Sequence, residues 1–226
     1  MKYAKYYIKV LWKNWTHPKN SYAQHNEDCL IDILLPRSIK SFIDIGSNDG
    51  VLFSNSYKFA KKGAKGLCVE PSRNSFRKLK LNHLFHPKVK CIQKAVSNFN
   101  GHIFLNEDGY ESTLSYVSKS RKSNSYPVKC QTFDKILEDN PQFSKVDLLT
   151  VDVEGHEKQV FECLNINFYS KIIIIESDKS AIHDLLSSTS LNNYEPIFTN
   201  GINTVLKNKK ESLLSLAKPP KGFSPC

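Results

Sequence analysis

The chain has 226 residues, 40% of them hydrophobic and 24% charged, with 32 Lys and Arg against 22 Asp and Glu for a formal net charge of +10. A chain of this length suits one domain that buries roughly 70% of its unfolded surface, and the composition excludes both a disordered chain and a membrane bundle. The basic balance favours an acidic partner, whether nucleic acid, an anionic membrane surface or an acidic substrate, without choosing among them.

In chain order, residues 1–21 read as a basic amphipathic helix ahead of the domain. At about 100° per residue, Lys2, Lys5, Lys9 and Lys13 share one arc, with Tyr3, Tyr7, Val10, Leu11 and Trp15 outside it. Residues 1–15 then either lie on an anionic membrane as a peripheral contact or, the blander outcome, pack on their own domain or on a second subunit of a homo-oligomer. The segment lacks the apolar core and cleavage site of a signal peptide, and no stretch approaches the apolar length of a transmembrane helix. Cysteines at 29, 68, 91, 130, 163 and 226 form no CxxC pair and no spacing that closes a zinc site. These features place the chain in the cytoplasm, with membrane association as an option.

Residues 22–210 form the body of the domain. Apolar runs without alternation at 41–46, 64–70, 88–96, 146–153 and 171–177 suit strands buried on both faces. Helical patterns lie between them at about 54–62, 72–82, 133–139, 155–165 and 179–188. This alternation predicts an α/β fold with a Rossmann-like, doubly wound, mainly parallel sheet. The rhythm breaks over an insertion at about 97–131, whose segments GHIFLN, STLSYVS and YPVKCQTF read as extended, on the substrate side. YEPIFTNGINTVLKN reads as two strands joined at TNG, an antiparallel hairpin closing the sheet. The tail, 211–226, reads as a surface strap or as disordered.

The strongest local pattern is FIDIGSNDG, a strand running into a glycine turn with Asp44, Gly46 and Gly50 spaced D-x-G-x-x-x-G. Glycines there let backbone approach a ligand at the carboxyl edge of the sheet. Glu70 ends the next strand, where an acidic side chain accepts the hydroxyl hydrogens of an adenosine ribose. A dinucleotide loop has to hold pyrophosphate, which Asp44 and Asp49 would repel. Both suit the sulfonium and ammonium of S-adenosylmethionine instead. The competing reading makes Asp44 and Glu70 ordinary strand-end carboxylates.

With AQHNED at 23–28, FIDIGSNDGVLFSNSYKF at 42–59, GLCVEP at 66–71, GYESTL at 109–114 and DLLTVDVEGHE at 147–157, the chain resembles FkbM-type methyltransferases over roughly residues 22–205. The resemblance implies a Rossmann-like fold, S-adenosylmethionine as cofactor, and O-methylation of polyketide or sugar hydroxyls. It also implies that Asp44, Gly46, Ser47, Asn48, Asp49 and Gly50 meet the methionine side of the cofactor and Glu70 its ribose. Ser54 and Asn55 fall at the first turn of the following helix, either as donors to the cofactor carboxylate or as an N-cap pair. Gln24, Glu27 and Asp28 either line the lip of the site, with Gln24 touching the acceptor, or form a solvated helix start.

VDVEGHE delivers Asp152, Glu154, His156 and Glu157 to the same sheet edge. A hydroxyl is a poor nucleophile, and a positioned base contributes about 10²- to 10⁴-fold. His156 takes a proton near neutral pH, and Asp152 or Glu154 would orient it or the acceptor. Two other readings stay open: acids that only favour a helix N-terminus, and a magnesium ion held by Asp152, Glu154 or Glu176. KIIIIES brings Glu176 to this edge as a further catalytic candidate, and GYESTL offers Tyr110, Ser112 and Thr113 to the acceptor. The leading expectation is methyl transfer to a hydroxyl of a glycan, glycolipid or other small-molecule acceptor. RNA methylation ranks below it, since neither an RNA-binding module nor an NPPY-type tetrad occurs. A cofactor-binding domain without catalysis is the non-enzymatic rival.

Overall fold

The structure, a computed structural model, describes residues 21–36, 39–107, 115–118, 125–164, 167–177, 179–213, 219 and 221–226. The helix expected within 1–21 and the GYESTL residues Tyr110, Ser112 and Thr113 lie outside the described residues. Among those described, the elements run α1 (Glu27–Leu34), β1 (Ser41–Ile45), α2 (Tyr57–Lys61), β2 (Lys65–Val69), α3 (Arg73–Asn82), β3 (Val89–Ile92), β4 (Ala95–Val96), β5 (Gly101–Glu107), β6 (Ser115–Ser118) and β7 (Ser125–Gln131). They continue with α4 (Phe133–Glu138), β8 (Lys145–Val151), α5 (Glu157–Glu162), β9 (Tyr169–Glu176), α6 (Lys179–Ser188), β10 (Tyr194–Thr199), β11 (Asn203–Asn208) and β12 (Ser224–Pro225).

The central sheet has the order β12-β10-β11-β9-β8-β1-β2-β3. Strands β9, β8, β1, β2 and β3 pair in parallel, and β11 adds antiparallel to β9. This is the Rossmann-like architecture that the alternating pattern predicts. Because β1 and β8 are neighbours in space but distant in sequence, their carboxyl ends flank the switch point where such sheets open a ligand crevice.

Alternate residues of the buried strands serve opposite layers. Ile43, Ile45, Ile173 and Ile175 join Phe133, Phe161 and Ile182 in one core. Phe42, Ile172 and Ile174 join Leu30, Ile31, Phe59 and Leu79 in the other. Burial on both faces accounts for the continuous apolar runs.

The structure changes several boundaries. The run 88–96 is two strands: β3 stays on the central sheet, with Val69 opposite Ile92, whereas Ala95 moves to a second sheet opposite Cys130. That sheet, β4-β7-β5-β6, is built largely from the insertion around Ile103, Leu105, Val128 and Cys130. Helix α2 starts at Tyr57 rather than near 54, because Phe53 holds φ 60° and Ser54 Oγ accepts the Tyr57 N–H at 3.1 Å. Helix α5 starts at Glu157 because Glu154 and Gly155 hold φ of 54° and 86°, outside the helical range. At the tail, Ser224 and Pro225 pair with β10 at the sheet edge, and Phe223 is buried in the second core.

Glu27 and Asp28 are fully buried, which overturns the solvated helix start. Glu27 accepts from the side-chain amides of Asn200 and Asn203 at 3.0 and 2.7 Å and so ties α1 to the β10–β11 turn. Asp28 accepts from Ser21 Oγ and the Tyr22 N–H. Both carboxylates therefore belong to the framework and neither reaches the crevice.

Candidate active site

A cavity of about 260 Å³ opens at the carboxyl ends of β1, β2, β8 and β9. Gln24, Asp44, Gly46, Ser47, Asn48, Ser54, Asn55, Glu70, Asp152, Glu154, His156 and Glu176 all line it. Thus the glycine loop and the VDVEGHE turn, over a hundred residues apart, face one space.

The first wall is the loop after β1. Gly46 holds φ 85°, and a Cβ there would come within 1.7 Å of the Asp152 backbone oxygen, so only glycine lets the two strand ends meet. Ser47 stitches β1 to β2: its Oγ donates to Asp44 O at 2.7 Å and accepts the Val69 N–H at 3.1 Å. The Glu70 carboxylate, buried, accepts the Asn48 N–H on one oxygen and the Ser72 N–H on the other, each at 2.8 Å. Two backbone donors aim this acid before any ligand arrives. Asn55 Nδ2 donates to Thr150 Oγ1 at 3.3 Å, linking the start of α2 to β8.

Asp49 and Gly50 do not face the cavity. The Asp49 carboxylate accepts the N–H groups of Val51 and Leu52, both at 2.8 Å, and so closes the turn. Gly50 faces α3, where a Cβ would press on Leu79 and His83. The second glycine is explained by helix packing. Ser54 has a double role, capping α2 through the Tyr57 N–H while lining the cavity.

The second wall is acidic. Asp44 is buried, and the Ser56 hydroxyl donates to it at 2.5 Å. Burial pushes its pKa up to about 6, and the Ser56 bond offsets only part of that. Asp152 is exposed on the cavity wall, yet protein surrounds it at longer range. That burial, then a hydrogen bond shared with Glu176, then the charges of Glu176, Glu154 and Asp44 raise its pKa well above the carboxylate range. Burial, Glu176 and Glu157 likewise raise Glu154. Glu157 itself is structural, since its Oε1 accepts the N–H groups of Val153 and Gly155. His156 opens α5, and its Nε2 lies 2.8 Å from Ser97 Oγ, which ties the VDVEGHE turn to the chain leaving β4.

Among the described residues, no group of three or more His, Cys, Asp or Glu side chains is arranged to hold a metal ion. Asp152 and Glu176 stand beside each other at the ends of the paired strands β8 and β9. The magnesium reading of Asp152, Glu154 and Glu176 gains no support from this arrangement.

The cavity also has walls that the motifs did not announce. Ala95, Val96 and Leu105 bring the second sheet to its side, and Phe53, 51% exposed, stands at its mouth. A parallel bridge from Ala23 to Phe53 carries Gln24 to that mouth. Thr150, the one hydroxyl in the apolar run VDLLTV, was a legible signal. The apolar wall was not, because nothing in the sequence reveals which face of the insertion turns inward.

The FkbM methyltransferase domain model matches residues 44–195, more than half of the chain and both walls of the cavity. The chain belongs to the FkbM methyltransferase family. This FkbM domain is accordingly an S-adenosylmethionine-dependent methyltransferase. It matches no curated protein.

Similar solved structures include TrmK of M. capricolum in complex with S-adenosyl-homocysteine, at 10% identity and TM-score 0.47, covering 88% of this chain and 74% of that one. A TehB-like SAM-dependent methyltransferase from Corynebacterium glutamicum shows 13% identity and TM-score 0.44, covering 92% and 98%. The fibrillarin pre-rRNA processing protein of Methanococcus jannaschii shows 12% identity and TM-score 0.45, covering 76% and 68%. At these identities and scores the likeness carries no argument about the acceptor of the FkbM domain, and each activity belongs to the protein that bears the name.

Proposed function

We propose that this FkbM domain methylates a hydroxyl of a glycan, glycolipid or other small-molecule acceptor, with Asp152 as the proton acceptor. The observation that carries the reading is the backbone contact between Gly46 and Asp152, which sets the candidate base directly against the cofactor loop.

The donor set fits S-adenosylmethionine. In a chain of net charge +10, no Lys or Arg lines the cavity among the described residues, while five carboxylates do. Such a wall favours a cation and repels a phosphate backbone, which also weighs against RNA as acceptor. Asp44 and Asn55 would hold the methionine end and Glu70 the ribose. When bound, S-adenosylmethionine supplies a methyl group on a sulfonium centre. The chain's own residues align the acceptor hydroxyl and remove its proton. A raised pKa makes Asp152 a stronger proton acceptor than an ordinary carboxylate. Glu176 keeps it oriented, and His156, fixed by Ser97, borders the acceptor side. Incubation with labelled S-adenosylmethionine and a panel of sugar, glycolipid and phenolic acceptors tests the assignment. Transfer exclusively to nitrogen acceptors or to RNA would refute it.

Two binding predictions arise here. Glu70→Ala is expected to weaken S-adenosylmethionine binding by roughly 1 to 3 kcal/mol, since ribose hydroxyls lose a charged acceptor and Asn48 and Ser72 lose the group that orders them. Titration calorimetry on the folded variant checks it, and unchanged affinity would remove Glu70 from the site.

The second concerns Asp44, whose raised pKa means that the ligand-free site holds a proton below about pH 6. A cationic ligand needs the ionised form, so its affinity should be full above about pH 6 and fall as pH drops through that value, by up to tenfold per unit for one linked proton. Asp44→Asn should flatten the profile measured with S-adenosyl-homocysteine between pH 5 and 8. A wild-type affinity that is flat across this range would exclude Asp44 as the ammonium partner.

A further inference from the structure

The amino edge of the central sheet, opposite the cavity, carries a feature that methyl transfer does not use. Between Pro71 and Asn106 the chain has seven Lys or Arg and no Asp or Glu. Helix α3 and the turn after it expose Arg77, Lys80 and Lys88. The end of α3 and this turn present three large apolar side chains: Leu81 at 49%, Leu84 at 64% and Phe85 at 86% exposed. Nonpolar groups this open cost hydration with no packing in return, and a cluster of them ringed by cations marks a contact surface.

The sheet register extends the basic ring. The Lys65 N–H donates to Lys40 O and the Gly66 N–H to Lys88 O, so Lys40, Lys65 and Lys88 sit side by side where three adjacent strands begin, and all three are exposed. The nearby acids are already engaged. Asp32 pairs with Lys58 and Lys62, Asp147 with Lys171, and Asp139 with Lys94 and Lys135. The edge therefore keeps a positive excess around an apolar tip.

We propose that this edge docks on an anionic lipid bilayer, with Leu84 and Phe85 entering the interface and the surrounding lysines and Arg77 meeting lipid head groups. A nucleic acid would supply the negative charge but no apolar layer for three aliphatic and aromatic side chains. None of the residues of this surface belongs to the segment 1–15. Helix α3 leaves the cavity at Pro71 and Ser75, and its ten residues carry the tip about 15 Å away. Docking by this edge leaves the cavity mouth facing the aqueous side, where head-group or soluble acceptors enter.

Co-sedimentation of the full chain with phosphatidylcholine vesicles, with and without phosphatidylglycerol, tests the proposal at low salt. The chain should bind the anionic vesicles and not the neutral ones, and added salt should release it. Leu84→Ser/Phe85→Ser should lower vesicle affinity by about tenfold or more, and Arg77→Glu/Lys80→Glu should do the same, with cofactor affinity unchanged in both. Three results would overturn it: no binding of the parent chain to anionic vesicles, undiminished binding of the Leu84/Phe85 variant, or a variant that loses only self-association or RNA binding.

Discussion

Asp152→Asn is expected to lower the methyl-transfer rate by about 10²-fold or more while leaving cofactor affinity nearly unchanged. Asn preserves the shape at the end of β8 and still hydrogen-bonds to Glu176, but it accepts no proton from the acceptor hydroxyl. The pH dependence separates a base from a mere contact. Asp152 must be ionised to act, and burial with Glu176 and Glu154 raises its pKa, so the wild-type rate should climb with pH through that raised value and fall below it. The Asn variant should lose that limb. His156→Ala provides the contrast: as a bordering residue it should mainly raise KM for the acceptor and leave the pH limb in place. Were His156→Ala to abolish the limb while Asp152→Asn kept full rate on a verified acceptor, the base assignment would move to the histidine.

Gly46→Ala should be the most damaging single change to the framework. The left-handed conformation costs an L-residue roughly 1 to 2 kcal/mol. Here the new Cβ would also lie 1.7 Å from the Asp152 carbonyl oxygen, a backbone atom at the end of a buried strand. The β8 end must then shift and take the Asp152–Glu176 pair with it. We expect a total loss above about 3 kcal/mol of folding stability together with loss of cofactor binding. Gly63→Ala serves as the internal control, because Gly63 has the same φ of 85° with nothing within 4 Å of the added carbon. Denaturant midpoints of the two variants isolate the steric part. Equal losses would mean that the Gly46–Asp152 contact does not hold the site together.

Much of this protein could be read from its residues. Four of the five apolar runs became single buried strands, since only strands covered on both faces tolerate Ile at four successive positions, as in Ile172 to Ile175. The spacing of Asp44, Gly46 and Glu70 pointed to one shared cavity because each lies where a strand ends. The family resemblance carried by those motifs holds over residues 44–195.

Tertiary structure alone decided the division of labour among similar residues. Gly46 and Gly50 look alike in the motif, yet one meets Asp152 and the other Leu79 and His83. Asp44 and Asp49 look alike, yet one opens to the cavity and the other closes a turn. Glu27 and Asp28 were indistinguishable from exposed acids until the β10–β11 amides and Tyr22 covered them. The raised pKa of Asp152 arises only because β9 brings Glu176 beside it. Local sequence sets strand, turn and acid. Which acid ends up buried, paired or facing a cavity depends on residues distant in the chain, and no short window contains that information.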